Sequence, residues 1–235
     1  MRIMPSSKPV VYVTQSTFEE GEDEALNLVH APLITTERLP FDETVLKTHY
    51  TWLVMTSKNT VKHFLPLFKH VKTDKISSIG VKTTEALNSY GIDVDFEPST
   101  YTQEGFIEEF TIKPGDKILY PASTKKRPLM RDYMRESGAI VTEIELYYPK
   151  VHEGSIEQIR KNINHIDYLT LSSPSAVDSL MGHFKADELK NIHLIAIGHV
   201  TEARLKQYGL TASKPEHETL GHMIDFIKES IHNEL

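Results

Sequence analysis

Two stretches of this chain repeat each other, and a domain-sized repeat leaves few folds open. WLVMTSKNTV (52–61) followed by ISSIGVKTTEALNSYGI (76–92) recurs as YLTLSSPSAV (168–177) followed by LIAIGHVTEARLKQYGL (194–210). Ile79-Gly80 aligns with Ile197-Gly198, Thr83 with Thr201, Leu87 with Leu205, and Tyr90-Gly91 with Tyr208-Gly209. Thr56 and Ser172 are 116 residues apart, Gly80 and Gly198 are 118 apart, and a helix-like segment follows each copy, at 102–110 and 219–227. A period this long means two similar lobes rather than a solenoid.

Short apolar runs at 10–14, 52–56, 76–80, 117–121, 140–147, 168–172 and 194–198 read as strands. Polar, helix-like segments at 83–90, 128–137, 175–184 and 201–208 stand between them, and Gly91 and Gly209 sit where helices should end. Strands alternating with helices predict βαβ units. The expected fold class is α/β: two similar lobes, each a parallel sheet flanked by helices. At 235 residues, two halves each have room for a core.

Composition removes several kinds of function. Acidic residues (33) outnumber basic ones (26), a formal charge of −7, and a protein that coats phosphates shows the opposite bias. The absence of Cys excludes disulfides, thiolate nucleophiles, Cys-based zinc sites and iron–sulfur clusters. No apolar run reaches the roughly 18 residues that cross a bilayer, and the N-terminus lacks a leader pattern. A cytoplasmic, monomeric protein with no nucleic-acid or membrane partner is expected.

Ligands of open parallel sheets bind beyond the carboxyl ends of the strands. Here those ends carry Thr56, Ser57, Lys58 and Asn59; Gly80, Lys82 and Thr83; Ser172, Ser173 and Ser175; and Gly198, His199 and Thr201. Each group is small and polar and opens a helix, where free N–H groups and the dipole favour anions. Plain capping accounts for any one of them. Four, matched by a repeat, point to an anion-binding cleft between the lobes. Lys125, Lys126 and Arg127, adjacent after the 117–121 strand, are either a solvated loop or cationic support, as are Lys58 and Lys82. No G-x-x-x-x-G-K-[ST] or G-x-G-x-x-G is present, so a carboxylate is expected rather than a nucleotide. No G-x-S-x-G elbow appears, and no metal is expected: His217 and His222 are five apart and miss the i, i+4 helical spacing of a zinc pair. Tyr147 and Tyr148 end the long strand before the second repeat, either as packing or as a phenol donor at the cleft.

TSKNTV, SSPSAV, the two Ile-Gly-x-x-Thr turns with their Tyr-Gly helix ends, ELYYP around Tyr147 and VVYVT near the start together resemble the uroporphyrinogen-III synthase family. Three places depart from its pattern. Thr14-Gln15-Ser16 replaces Thr-Arg-Pro, Lys58 replaces a common proline, and His199-Val200 replaces Pro-Thr. The resemblance implies a discontinuous first lobe (1–34 plus 152–235), a second lobe (38–147) and hinge crossovers at 33–38 and 147–152. It implies a cofactor-independent lyase of haem biosynthesis. Hydroxymethylbilane, a linear tetrapyrrole with eight carboxylates, would lose water, invert ring D through a spiro intermediate, and close to uroporphyrinogen III. Tyr147 matches the family's tyrosine proposed to assist departure of the hydroxyl; an ordinary phenol, pKa about 10, is a neutral donor at pH 7. The alternative is a non-catalytic two-lobed protein that closes on a small polyanion.

Overall fold

Four consecutive apolar residues such as Trp52-Leu53-Val54-Met55 can all be buried in a strand only when both faces of its sheet are covered. The structure, a computed structural model, describes residues 8–18 and 23–233. Residues 1–7, where the expected first lobe begins, lie outside the described residues. In chain order the elements are β1 (Val10–Val13), β2 (Asn27–His30), β3 (Ile34–Arg38), β4 (His49–Met55), α1 (Lys58–Phe64) and β5 (Lys72–Ser78). Next come α2 (Val81–Asn88), α3 (Gln103–Glu109), β6 (Lys117–Ser123), α4 (Leu129–Glu136), β7 (Ile140–Val151) and α5 (Glu153–Asn162). The chain finishes with β8 (Tyr168–Leu171), α6 (Pro174–Met181), α7 (Ala186–Leu189), β9 (His193–Ala196), α8 (His199–Gln207) and α9 (Leu220–Asn233). No helix among the described residues is long and apolar enough to cross a membrane.

The chain divides into two compact units: residues up to Thr35 with those from Lys150 onward, and Thr36–Pro149. In the first, a four-stranded sheet has the order β2-β1-β8-β9, with all three neighbour pairs parallel. In the second, a five-stranded sheet has the order β3-β7-β6-β4-β5, and β7, β6, β4 and β5 pair in parallel. The edge strand β3 is the exception. Leu39 N–H donates to Leu146 O and His152 N–H to Leu33 O. Partner numbers that fall as the others rise mark an antiparallel pair. The chain thus leaves and re-enters the first unit through paired strand residues of β3 and β7 rather than through loops.

Both faces of each sheet are filled. On β4, Leu53 and Met55 pack with Leu119, Val61, Phe64 and Leu87. Trp52 and Val54 face the other way, onto Ile118, Tyr120, Phe106, Phe110 and Met130. In the first unit, Tyr12, Leu169, Leu171 and Leu194 meet Val177, Leu180 and Leu205. Val11, Val13, Tyr168 and Ile195 meet Met223, Ile224 and Ile227. The repeat extends to detail. Isolated parallel bridges join Ser77 to Phe96 and Ile195 to Ser213. Gly91 (φ 73°) and Gly209 (φ 76°) end α2 and α8 in the left-handed region, which a side chain disfavours.

Candidate functional site

Parallel pairing places the carboxyl ends of β4, β5, β6 and β7 at one edge of the second unit, and those of β8 and β9 at one edge of the first. After β4 the chain turns through Thr56, and Ser57 caps α1: extended at φ −163°, ψ 160°, its Oγ accepts from Thr60 N–H at 3.1 Å. Ser173 does the same for α6 after Ser172, at φ −167°, ψ 158°, accepting from Ala176 N–H at 3.2 Å. Pro174 fits the first helical turn because its missing N–H would have had no acceptor there. Ser175 Oγ stands 3.0 Å from Ser173 Oγ.

The other two helix starts differ from expectation. The caps of α2 and α8 are Gly80 and Gly198, with no side-chain cap. Both helices begin before the threonines, so Thr83 and Thr201 lie inside the first turn, with 6% and 2% of their surface exposed. Thr83 N–H donates to Gly80 O at 2.8 Å, closing the turn. Both threonines are buried within the helix, and the groups left at each helix start are backbone N–H donors. The second unit therefore gathers Thr56, Ser57, Lys58, Asn59, Gly80, Lys82 and Thr83 at neighbouring strand ends, with Lys58 and Lys82 exposed. The first gathers Ser172, Ser173, Ser175, Gly198, His199 and Thr201.

The basic loop after β6 is largely engaged already. Lys126 Nζ pairs with Glu143 at 2.8 Å and Glu145 at 3.4 Å, and its side chain is only 10% exposed. Arg127 makes a two-pronged bond to Glu104 at 2.8 and 3.0 Å. These two charges brace the unit itself, while Lys125 is exposed. His217 and His222 do approach each other, ring centroids 4.8 Å apart and edge to face, because His217 precedes α9 rather than lying on it. His222 Nδ1 is 2.6 Å from Thr219 Oγ1.

Tyr147 is buried, 6% exposed, on β7. Its phenol oxygen lies 3.0 Å from Ser57 Oγ, which in turn lies 3.0 Å from Thr60 Oγ1. The His63 ring stacks on the Tyr147 ring, centroids 5.1 Å apart at 23°. His63 Nε2 meets Thr36 Oγ1 at 2.7 Å. Burial first, then the Lys62 and Arg38 charges, hold His63 below the usual imidazole range. Burial, with the Glu143 charge, pushes the Tyr120 phenol up to about 12.

Sequence reasoning passed over Thr60 and His63, and also Tyr101 and Glu218, whose side chains stand against the Gly80 and Gly198 caps. Thr60 stood in the open, three residues after the Ser57 cap within TSKNTV. Tyr101 and Glu218 could have been found by extending the repeat, since they precede Thr102 and Thr219, whose hydroxyl oxygens accept from Gly105 N–H and His222 N–H at the start of the next helix. His63 carries no pattern that separates it from the other 11 histidines.

Two similar units, each built on a mainly parallel sheet with helix starts gathered at its carboxyl edge, define a two-unit α/β protein. The family model of uroporphyrinogen-III synthase HemD matches residues 16–225, and the chain belongs to that family. It is 24% identical over 191 residues to the porphyrin biosynthesis protein HemD of Ruminiclostridium josui, covering 77% of this chain and 38% of that protein. The chain thus spans well under half of that relative's length. The uroporphyrinogen-III synthetase of Helicobacter pylori 26695 shares the fold at a TM-score of 0.65 and 16% identity, over 95% of this chain and 100% of that one. A mutant uroporphyrinogen III synthase from the extremely thermophilic bacterium Thermus thermophilus matches at a TM-score of 0.53 and 17% identity, over 96% and 99%.

Proposed function

We propose that this chain is a uroporphyrinogen-III synthase in its own right, a cyclising lyase that takes hydroxymethylbilane to uroporphyrinogen III. The observation that carries the reading is Tyr147, whose phenol meets the Ser57 cap of α1 at the edge where the starts of α1 and α2 also lie. A donor for a departing hydroxyl thus stands beside donors for carboxylates. The substrate brings eight carboxylates and the chain is net −7, so local N–H donors rather than overall charge must hold it.

The chemistry is loss of water and ring closure with no change of oxidation state, which needs no redox group. Tyr147 protonates the leaving hydroxyl, the pyrrole nitrogen stabilises the resulting cation, and the substituted carbon of ring D attacks it. Fragmentation of the spiro intermediate and reclosure invert the ring. The free bilane closes unaided to the uninverted isomer, so the enzyme's task is orientation. We place the reaction in the cytoplasm and assign it to a monomer. The test is incubation with freshly generated hydroxymethylbilane and separation of the type I and type III products.

A further inference from the structure

We propose that Thr60, Ser57 and Tyr147 form a one-way hydroxyl relay, in which Thr60 and Ser57 are positioning residues that leave the Tyr147 proton free for a ligand. The direction follows from counting protons. A serine hydroxyl has one proton and two lone pairs. One lone pair of Ser57 accepts the Thr60 N–H at 3.1 Å. One proton and one lone pair remain for two hydroxyls, Thr60 Oγ1 and Tyr147 OH, each 3.0 Å away. One of them must donate to Ser57 and the other must accept from it.

If Tyr147 donated, Ser57 would donate to Thr60, and the Thr60 proton would need an acceptor of its own. Thr60 is fully buried, at 0% exposure, and its hydroxyl has no other hydrogen-bond partner among the described residues. That order orphans a buried donor, an arrangement folded proteins avoid. The reverse order satisfies the chain: Thr60 donates to Ser57, Ser57 donates to the Tyr147 oxygen, and the free proton sits on Tyr147. Of the two end residues, only Tyr147 keeps any exposed surface, 6%. His63 does not take that proton, because it stacks on the face of the phenol and its Nε2 is held at Thr36.

The role in catalysis rests on the function proposed above. As the substrate C–O bond breaks, its electron pair leaves with the oxygen, which takes the Tyr147 proton and departs as water. The phenolate left behind receives the Ser57 hydrogen bond, which strengthens as its charge develops. The proton released when the last ring regains aromaticity restores the phenol.

Thr60→Val keeps the shape of the buried side chain and removes the donor. Ser57 then has a lone pair to take the Tyr147 proton, and the relay reverses. Turnover should fall by about tenfold with KM changed less than about twofold, the pattern of an interaction made in the transition state. Thr60→Ser should recover most of the loss. A readout independent of activity is the Raman tyrosine doublet, isolated as wild type minus Tyr147→Phe. The relay predicts that Tyr147 shows the pattern of a phenol that accepts a hydrogen bond, and that Thr60→Val shifts it to that of a donor. A donor pattern in the wild type, or no shift in Thr60→Val, overturns the proposal. An accepting Tyr147 in a protein that makes no type III product would leave the relay standing and overturn only the assigned reaction.

Discussion

Glu218 folds its side chain against Gly198, so closely that a Cβ on Gly198 would overlap its carboxylate, and one repeat earlier Tyr101 stands against Gly80 in the same way, 3.0 Å from where a Cβ would lie. The carboxylate also meets His199 Nδ1 at 3.2 Å. At the start of α8 the chain therefore supplies an internal anion where α2 meets an aromatic ring. An anionic ligand at α8 has to compete with it. Helix-end charge interactions are worth roughly 0.3–1 kcal/mol at exposed positions. Glu218→Gln should tighten binding of the carboxylate-bearing ring product by roughly two- to fivefold, read by titration. Weaker binding would mean that Glu218 supports the ligand.

Tyr147→Phe removes the phenol and leaves the stack on His63 and the packing with Leu119, Ile144 and Leu146 in place. Turnover should drop by about 10- to 100-fold, at or below the low end of the roughly 100- to 10,000-fold typical of one acid–base group, while product affinity stays within about twofold. The loss is partial because water can still protonate the hydroxyl. Steady-state rates paired with a product titration check it, and unchanged turnover would remove Tyr147 from the chemistry.

His63 carries a pH signature. Its imidazole is held below the ordinary value by burial and by Lys62 and Arg38, so the folded state favours the neutral ring. Below the ordinary histidine pKa of about 6.5 the unfolded chain binds a proton that the folded chain resists. The stability tied to the neutral ring is complete above that pH and declines as pH falls through it toward the lowered folded value. His63→Phe keeps a stacking ring with nothing to protonate. Urea midpoints taken between about pH 7.5 and 5 should fall less in the variant than in the wild type. Parallel curves would contradict the assignment.

Gly105 is packed where a Cβ would overlap the backbone carbonyl of Thr100, which cannot swing aside as a side chain could. Its N–H is held by Thr102 Oγ1 at 3.0 Å at the start of α3. Gly105→Ala should destabilise the second unit by about 1–3 kcal/mol through overpacking. The chain's one tryptophan reports it: Trp52 meets Phe110 edge to face at 4.8 Å, in the same cluster as Phe106. A denaturant midpoint followed by Trp52 fluorescence that matches wild type would show that the turn relaxes.

The repeat made the architecture legible because it rests on burial and turn chemistry: apolar strands β4, β8 and β9, and Gly91 and Gly209 in the left-handed region. Strands β2 and β3 left no such mark. Both lie at sheet edges, are half-buried and do not alternate cleanly, so no period stands out in Asn27–His30 or Ile34–Arg38. The helix starts at Thr83 and Thr201 were misplaced because threonine is a preferred cap and glycine a weaker signal, although Gly80 and Gly198 hold the cap positions. Tyr147 was visible from its strand and motif. Ser57 was visible too, but its meeting with Tyr147 was not, since contact between residues 90 positions apart is a product of sheet order. The pairing of Lys126 with Glu143 and of Arg127 with Glu104 is likewise tertiary, and a run of cations in a sequence does not show which carboxylates will face it.

The isomer ratio tests the central claim most directly. Hydroxymethylbilane generated in place is divided between a sample with this protein and one without, and the products are oxidised and separated. Catalysed closure through the spiro path predicts type III as the main product, in a proportion that rises with protein concentration, against type I in the control. Type I alone, at the control rate and at every protein concentration, would contradict the account.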